Sequence, residues 1–291
     1  MEIRAIQSGA KTFRGNLHTH TTVSDGRRSP EEAAIWYRDN GYDFVAITDH
    51  WKTLEPLSVD GILVIPGVEY HANDPELGAF HMVGIDIQVC PEREATIAAT
   101  EMASYITGHG GLAVLCHPYW CGMSSWAVER VEGVFAVEVF NTTCEVAIAK
   151  GVSSVHWDDA LDHGRRLWGL AVDDAHWGRK DYGGGWVQVQ AEELSIPALR
   201  EALLAGRFYA STGPEILDLV YDGTRVYART SDARRIAFVG DAWRGSCTYA
   251  EGDGTINEAE FTRLDGIKYV RLEVDDGQGR RAWSNPIYIG G

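Results

Sequence analysis

From residue 13 to about 205, short apolar runs alternate with longer stretches whose apolar positions recur at helical spacing. That alternation is the rhythm of repeated β-α units. It predicts strands over 13–20, 43–48, 62–68, 80–85, 112–116, 134–140, 167–172 and 186–190. Between them the spacing predicts helices. The first has a clear start signal, with Ser29 as N-cap, Pro30 at the first helical position and Glu32 completing a capping box. Further helices are predicted over 91–107, 144–163 and 195–205, the last two stopping at Gly164 and Gly206. After Gly213-Pro214 the helical period disappears. Short β-rich segments at 216–221, 225–230, 235–239, 268–274 and 283–289 are separated by turns such as Asp222-Gly223 and Asp275-Asp276-Gly277. The change of period places a boundary near 210, with an α/β domain over 1–210 and a small antiparallel β-sandwich over 211–291.

Charge narrows the function. With 26 basic and 42 acidic residues the chain carries a net −16, which argues against a general binder of nucleic-acid polymers or anionic membranes while leaving room for a local basic pocket. No long apolar run follows the first residues, and none of about 18 residues is available to span a bilayer. The five cysteines (Cys90, Cys116, Cys121, Cys144 and Cys247) are scattered and form no C-x-x-C pair. They read as reduced thiols of a cytoplasmic protein without a structural zinc ribbon.

The chemistry gathers where predicted strands end. His18 and His20 lie two residues apart, so an extended backbone sends both imidazoles to one side, and the Asp25-Gly26 turn can swing a carboxylate back toward them. Thr48-Asp49-His50 follows the second strand, Gly67-Val68-Glu69 the third, His117-Pro118 the fifth and Asp173-Asp174-Ala175-His176 the seventh, while His81 lies in the fourth. An isolated H-x-H is more often a polar turn than a ligand pair. Recurrence of such residues at the C-terminal ends of parallel strands, which meet on one face of a barrel, favours a shared metal site. His71, His109, His156 and His163 read as solvent or packing residues, although His71 competes with His81 for a ligand role.

In that order, His18-Thr-His20 with Ser24-Asp25-Gly26, Thr48-Asp49-His50, Gly67-Val68-Glu69, His81, His117-Pro118 and Asp174-Ala-His176 resemble the successive motifs of the polymerase and histidinol phosphatase (PHP) domain family, across about 14–190. The resemblance implies a distorted (β/α)7 barrel that hydrolyses phosphoesters with two or three divalent metal ions. His18, His20, Glu69 and Asp174 would hold one metal, Asp25, His50 and His176 a second, and Glu69, His81 and His117 a third, with Glu69 bridging. Glu69, Asp174 and His176 are the implied catalytic residues. Asp25 stands where some members have histidine, and an oxygen ligand there shifts the preference toward manganese or iron, while the mixed nitrogen and oxygen set tolerates zinc as well. The tail segments Gly206-Arg-Phe-Tyr-Ala-Ser-Thr-Gly213 and Arg281-Ala-Trp-Ser-Asn-Pro286 resemble a branch with a C-terminal β domain that includes carbamate and aryl-ester hydrolases of the carbaryl-hydrolase type.

Three divalent cations would set about +6 against about −3 from Asp25, Glu69 and Asp174, a cationic spot in an acidic protein. It suits an anionic phosphate ester and a bridging water acidified toward neutrality, the expected nucleophile. No serine-nucleophile elbow, P-loop or dinucleotide fingerprint competes. Arg27, Lys52 and Arg179 follow ligand segments closely and are the candidate phosphate clamps. Trp51, Tyr119, Trp120 and Trp177 also follow ligand residues, as pocket walls or as packing, and Gly183-Gly184-Gly185 reads as a flexible loop over the pocket. The expected function is a metal-dependent phosphoesterase acting on a small molecule. A carbamate or aryl-ester hydrolase on the same scaffold is the alternative, and a non-catalytic metal-binding module the remote one.

Overall fold

The computed structural model describes residues 2–289. In chain order the elements are β1 (Ile3–Ile6), β2 (Thr12–Asn16), α1 (Pro30–Asp39), β3 (Phe44–Ile47), β4 (Leu63–Asp74), β5 (Gly78–Ile85), α2 (Ala99–Gly108), β6 (Leu112–Cys116), α3 (Pro118–Cys121), α4 (Ser125–Arg130), β7 (Ala136–Asn141), α5 (Thr142–Ile148), α6 (Ser154–Asp162), β8 (Trp168–Val172), β9 (Trp186–Gln190) and α7 (Ile196–Leu204). The remainder is β: β10 (Phe208–Ser211), β11 (Ile216–Tyr221), β12 (Val226–Ala233), β13 (Arg235–Gly240), β14 (Gly245–Tyr249), β15 (Ile256–Phe261), β16 (Tyr269–Asp275), β17 (Arg281–Ser284) and β18 (Ile287–Tyr288).

Packing divides the chain into two units, one of 13–187 with 194–196, the other of 1–12, 188–193 and 197–291. The division departs from a cut near 210, because β1 pairs antiparallel with β11, Arg4 facing Val220. No local period could reveal a partner more than two hundred residues away.

In the first unit the strands run in the order β2-β3-β4-β5-β6-β7-β8. Every residue of β3 and β6 is buried, as expected of apolar runs covered on both faces. Beyond β8, Ala175 bridges in parallel to Thr19, with His20 N–H donating to Ala175 O at 3.0 Å and Asp174 N–H to His18 O at 2.9 Å. The strands are not uniformly parallel. β5 runs antiparallel to both β4 and β6, so His81 sits in mid-strand, opposite His71 and Cys116. Its position still reaches the ligand face, because the start of a reversed strand lies beside its neighbours' C-terminal ends.

The helix start at Ser29 is as the sequence indicates: Ser29 Oγ accepts from Glu32 N–H, and the Glu32 carboxylate accepts from Ser29 N–H. Two longer helices come out shorter. Of 91–107 only α2 is helical, because Asn73 N–H donates to Ala95 O and Ile97 N–H to Asn73 O, tying that stretch alongside β4. The stretch 144–163 breaks into α5 and α6 at Ala149, which adopts φ +57°.

The second unit holds two antiparallel sets, β1-β11-β12-β15 and β14-β13-β16-β17-β10, with β18 beside β16. One apolar core serves both. Leu219, Val226 and Ala228 from the first set are buried with Ile236, Phe238, Leu272 and Val274 from the second. β14 and β15 had no sequence signal, since their exposed residues leave little apolar alternation to read.

Candidate metal centre

Nine of the residues singled out in the sequence meet in the first unit. They form three overlapping sets: His18, His20, Glu69 and Asp174; His20, Asp25, His50 and His176; and Glu69, His81 and His117. The backbone laces their segments together, with Thr48 N–H donating to Thr19 O (2.8 Å) and Trp51 N–H to Glu69 O (3.0 Å). Asp174 at φ +58° and His117 at φ +27° occupy backbone regions unfavourable for residues with a Cβ. Strain of that kind costs about 1–3 kcal/mol and collects at functional sites.

The first set has the geometry of a coordination shell. His18 Nε2 lies 3.2 Å from His20 Nε2, 3.2 Å from a Glu69 oxygen and 3.3 Å from Asp174 Oδ1. His20 Nε2 lies 3.0 Å from the same two carboxylate oxygens. Ligand bonds of about 2.1 Å in tetrahedral arrangement put donor atoms about 3.4 Å apart, and octahedral neighbours about 3.0 Å apart. Despite these short approaches, Glu69 Oε2 and Asp174 Oδ1 are buried and take part in no hydrogen bond. Buried carboxylate oxygens normally find donors. Oxygens ringed by ring nitrogens yet out of line for hydrogen bonding fit a divalent cation as the missing partner, so the donor set suits the metal that the sequence implies.

Neighbouring groups orient the ligands. His18 Nδ1 meets Glu138 Oε1 at 2.6 Å, which leaves Nε2 for a cation, and Glu138 also accepts from His117 N–H and Asn141 Nδ2. Such carboxylate–histidine pairs fix tautomer and ring orientation. His176 Nδ1 approaches Asp174 O at 2.8 Å, leaving Nε2 to face Asp25, 3.4 Å away. The His117 Nδ1 neighbour is the Cys121 thiol, at 3.4 Å. Asp49 takes no ligand position and instead accepts from the Thr21 and Ser24 backbone and hydroxyl groups, holding the turn that carries Asp25. Gly26 is needed in that turn, since a Cβ there would stand 2.6 Å from His20 O.

Without a cation the site balances its own charge. Burial opposes charging His20, but Asp174 and Glu69 outweigh it and raise its pKa from 6.5 to about 9. His18 is likewise disfavoured by burial and raised overall by Asp174, Glu69 and Glu138. Burial pushes the Glu69 carboxyl up, but His18, His81 and His50 hold it well below its ordinary range. His50, less enclosed by carboxylates, is driven down to about 4 by burial. A histidine whose folded pKa lies above its unfolded value stabilises fully below about pH 6.5, and that contribution is lost as pH rises through about 9. The metal-free protein is therefore expected to melt progressively lower between pH 7 and pH 10 in scanning calorimetry. Metal loading at pH 7 should release protons and flatten this dependence. Identical pH profiles for stripped and loaded protein would contradict this account.

Beside the ligands opens a cavity of about 420 Å³. Arg27 and Arg179 line it, and a Cβ on Gly178 would stand 3.1 Å from the Arg27 side chain, so Gly178 makes room for that guanidinium. Lys52 is exposed and does not line the cavity. The candidate clamps that line the cavity are therefore Arg27 and Arg179. Arg28 lies over the Trp177 ring, 4.5 Å from its centroid. Of the four aromatic candidates, Trp120 lines the cavity. Trp177 packs against Trp36, Tyr37 and Tyr182, and Trp51 against Tyr70. His71 contacts His50 (3.2 Å) and accepts from Arg93 (2.6 Å), bordering the site rather than joining a ligand set.

Gly183-Gly184-Gly185 is not a free loop. All three N–H groups donate to the Asp173 carboxylate, which also accepts from Tyr37 and Thr142. Glu138 and Asn141 escaped the sequence reading, and Asp173, named there at a strand end, was given no role. A lone carboxylate within the apolar run 134–140 was the available signal for Glu138.

No protein-family model matches the chain, and no curated protein matches it. Among solved structures, a two-domain protein from Bacteroides vulgatus containing a predicted PHP-like metal-dependent phosphoesterase aligns with TM-score 0.52 at 17% identity, over 93% of this chain and 94% of that one. An amidohydrolase from Chromobacterium violaceum, with bound sulfate and no metal, aligns with TM-score 0.44 at 18% identity, over 67% of this chain and 96% of that one. The first likeness establishes a PHP-like fold. Within that fold the buried His, Asp and Glu clusters are fit for metal binding.

Proposed function

We propose that this chain is a metal-dependent hydrolase that cleaves a small-molecule phosphoester. The observation that carries the reading is the near-regular spacing, 3.0–3.3 Å, among His18, His20, Glu69 and Asp174, with two buried carboxylate oxygens lacking hydrogen bonds. In this reading β2 to β8 form the seven-stranded barrel, closed through the Thr19–Ala175 bridge, and the second unit is a β-sandwich. The three sets hold two or three ions of zinc, manganese or iron.

Divalent cations bound there supply Lewis-acid polarisation of a phosphoryl oxygen and acidify water. The chain's own residues do the rest. Glu69, shared by two sets, and Asp174 would hold the cations. Arg27 and Arg179 at the rim hold the phosphate oxygens, Arg27 through the fork that Gly178 accommodates. In the net reaction a water oxygen–phosphorus bond forms, the phosphorus–oxygen bond to the alcohol breaks, and a proton ends on the departing alcohol oxygen. Asp25 and His176, both lining the cavity, belong to the set that would hold one of those ions beside the departing group.

The apolar part of the cavity, with Trp120, Cys144 and Ala147, favours a second reading as a hydrolase of neutral aryl esters or carbamates. Elemental analysis of the purified chain, coupled to a hydrolysis screen over phosphomonoesters, phosphodiesters and aryl esters, separates the two. The expected result is two or three transition-metal ions per chain with turnover of phosphomonoesters. One ion at most after reconstitution would remove the multinuclear site, and turnover confined to neutral esters would replace the first reading by the second.

A further inference from the structure

The cavity has two chemically different sides. Arg27 and Arg179 present cationic groups, whereas Trp120 with Ala147 and Cys144 presents an apolar one. Trp120 retains 40% of its surface in the open and, unlike the other exposed tryptophans, lines this cavity, so its ring is available to a bound group. Its ring centroid lies 5.1 Å from that of His117 and 5.5 Å from that of His81, at interplanar angles of 80° and 71°. Any group attached to a phosphate held at those histidines would therefore begin about one ring's width from the indole.

The local backbone fixes this position. Pro118 opens α3, Gly122 closes it in the left-handed region, and Tyr119 N–H donates to Ser153 Oγ at 3.3 Å. Trp120 is thus presented by a short, pinned helix, which lowers the ordering cost of binding against it.

We propose that Trp120 determines leaving-group specificity: the substrate is a phosphomonoester whose alcohol portion carries a flat unsaturated ring, seated on the Trp120 indole while Arg27 and Arg179 hold the phosphate. The inference rests on the phosphoesterase reading and adds the substrate class. Aromatic pairs with offset or edge-to-face geometry gain stabilisation beyond area burial, and a saturated group of the same size does not share that gain. Trp126, 50% exposed, does not line the cavity and serves as the control.

The test uses the metal-loaded full chain with benzyl phosphate, cyclohexylmethyl phosphate and propyl phosphate. All three release primary alcohols of similar basicity, so intrinsic leaving ability does not mask binding. Wild type is expected to favour the benzyl ester over both others in kcat/KM. Trp120→Ala should lower kcat/KM for benzyl phosphate about 10-fold, mainly through KM, and that for propyl phosphate less than about 3-fold. Trp120→Phe should retain most of the preference, and Trp126→Ala should alter none of the rates. Equal losses on both esters in Trp120→Ala overturn the inference. Should that variant fail to fold, equal wild-type rates for the benzyl and cyclohexylmethyl esters overturn it as well. Absence of turnover with all three phosphates overturns the phosphoesterase reading and this inference together, whereas turnover without ring preference overturns the inference alone.

Discussion

Glu69→Gln is expected to lower kcat/KM by about 100-fold or more and to reduce the metal content of the purified chain. Even changes in groups that merely orient metal ligands cost about 10–100-fold. Glu69 stands closer than that. Its two oxygens lie within 3.5 Å of ring nitrogens from His18, His20, His50, His81 and His117, and it belongs to two of the three sets. Glutamine preserves the shape and removes the charge, so the loss reports electrostatics rather than a cavity. His81→Ala is expected to cost about 10-fold, because His81 approaches the site through one Glu69 oxygen and remains partly exposed. Elemental analysis and steady-state kinetics on the two variants give the comparison. A Glu69→Gln protein with full metal content and near-normal turnover would show that the carboxylate is not shared between cations.

Arg27→Ala is expected to cost about 1.5–3 kcal/mol in transition-state stabilisation for a phosphomonoester, the range for hydrogen bonds to charged groups. The same change should leave hydrolysis of a neutral aryl ester nearly unaltered. The side chain stands at the rim, against Gly178, and its backbone N–H donates to His176 O at 3.0 Å, so the clamp and a ligand segment are held together. Gly178→Ala gives an independent approach, since the added methyl would press on the guanidinium at 3.1 Å and displace it without deleting charge. Parallel kcat/KM values for a charged and a neutral substrate in both variants are the measurement. Small, equal losses on the two substrates would remove Arg27 from substrate binding.

What the sequence made legible was the part written in short-range pattern. The runs at 112–116 and 186–190 match β6 and β9 to the residue, and Ser29-Pro30-Glu32 marked the start of α1, because strand burial and helix capping are local physics. The ligand-type residues stood out because they recur at the ends of apolar runs. Long-range features were hidden. β5 reads like its neighbours although it runs the other way, since an apolar strand carries no mark of direction. Ala149 could not announce the break between α5 and α6, as nothing about alanine favours φ +57°. Lys52 and Arg27 looked equivalent as neighbours of ligands, and only the path of the chain after His50 separates them.

The pairing of β1 with β11 carries a consequence for how the chain is made. Ile3–Ile6 leaves the ribosome well ahead of the strand it pairs with, since Ile216–Tyr221 arrives more than two hundred residues later. At about 5–20 residues per second the wait is roughly ten to forty seconds. In that interval the stretch 13–187 can collapse on its own contacts, while the first strand stays an unsatisfied ribbon edge. The unit of residues 13–187 is thus the early product of synthesis, and the β unit, stitched from segments on either side of it, is necessarily the late one.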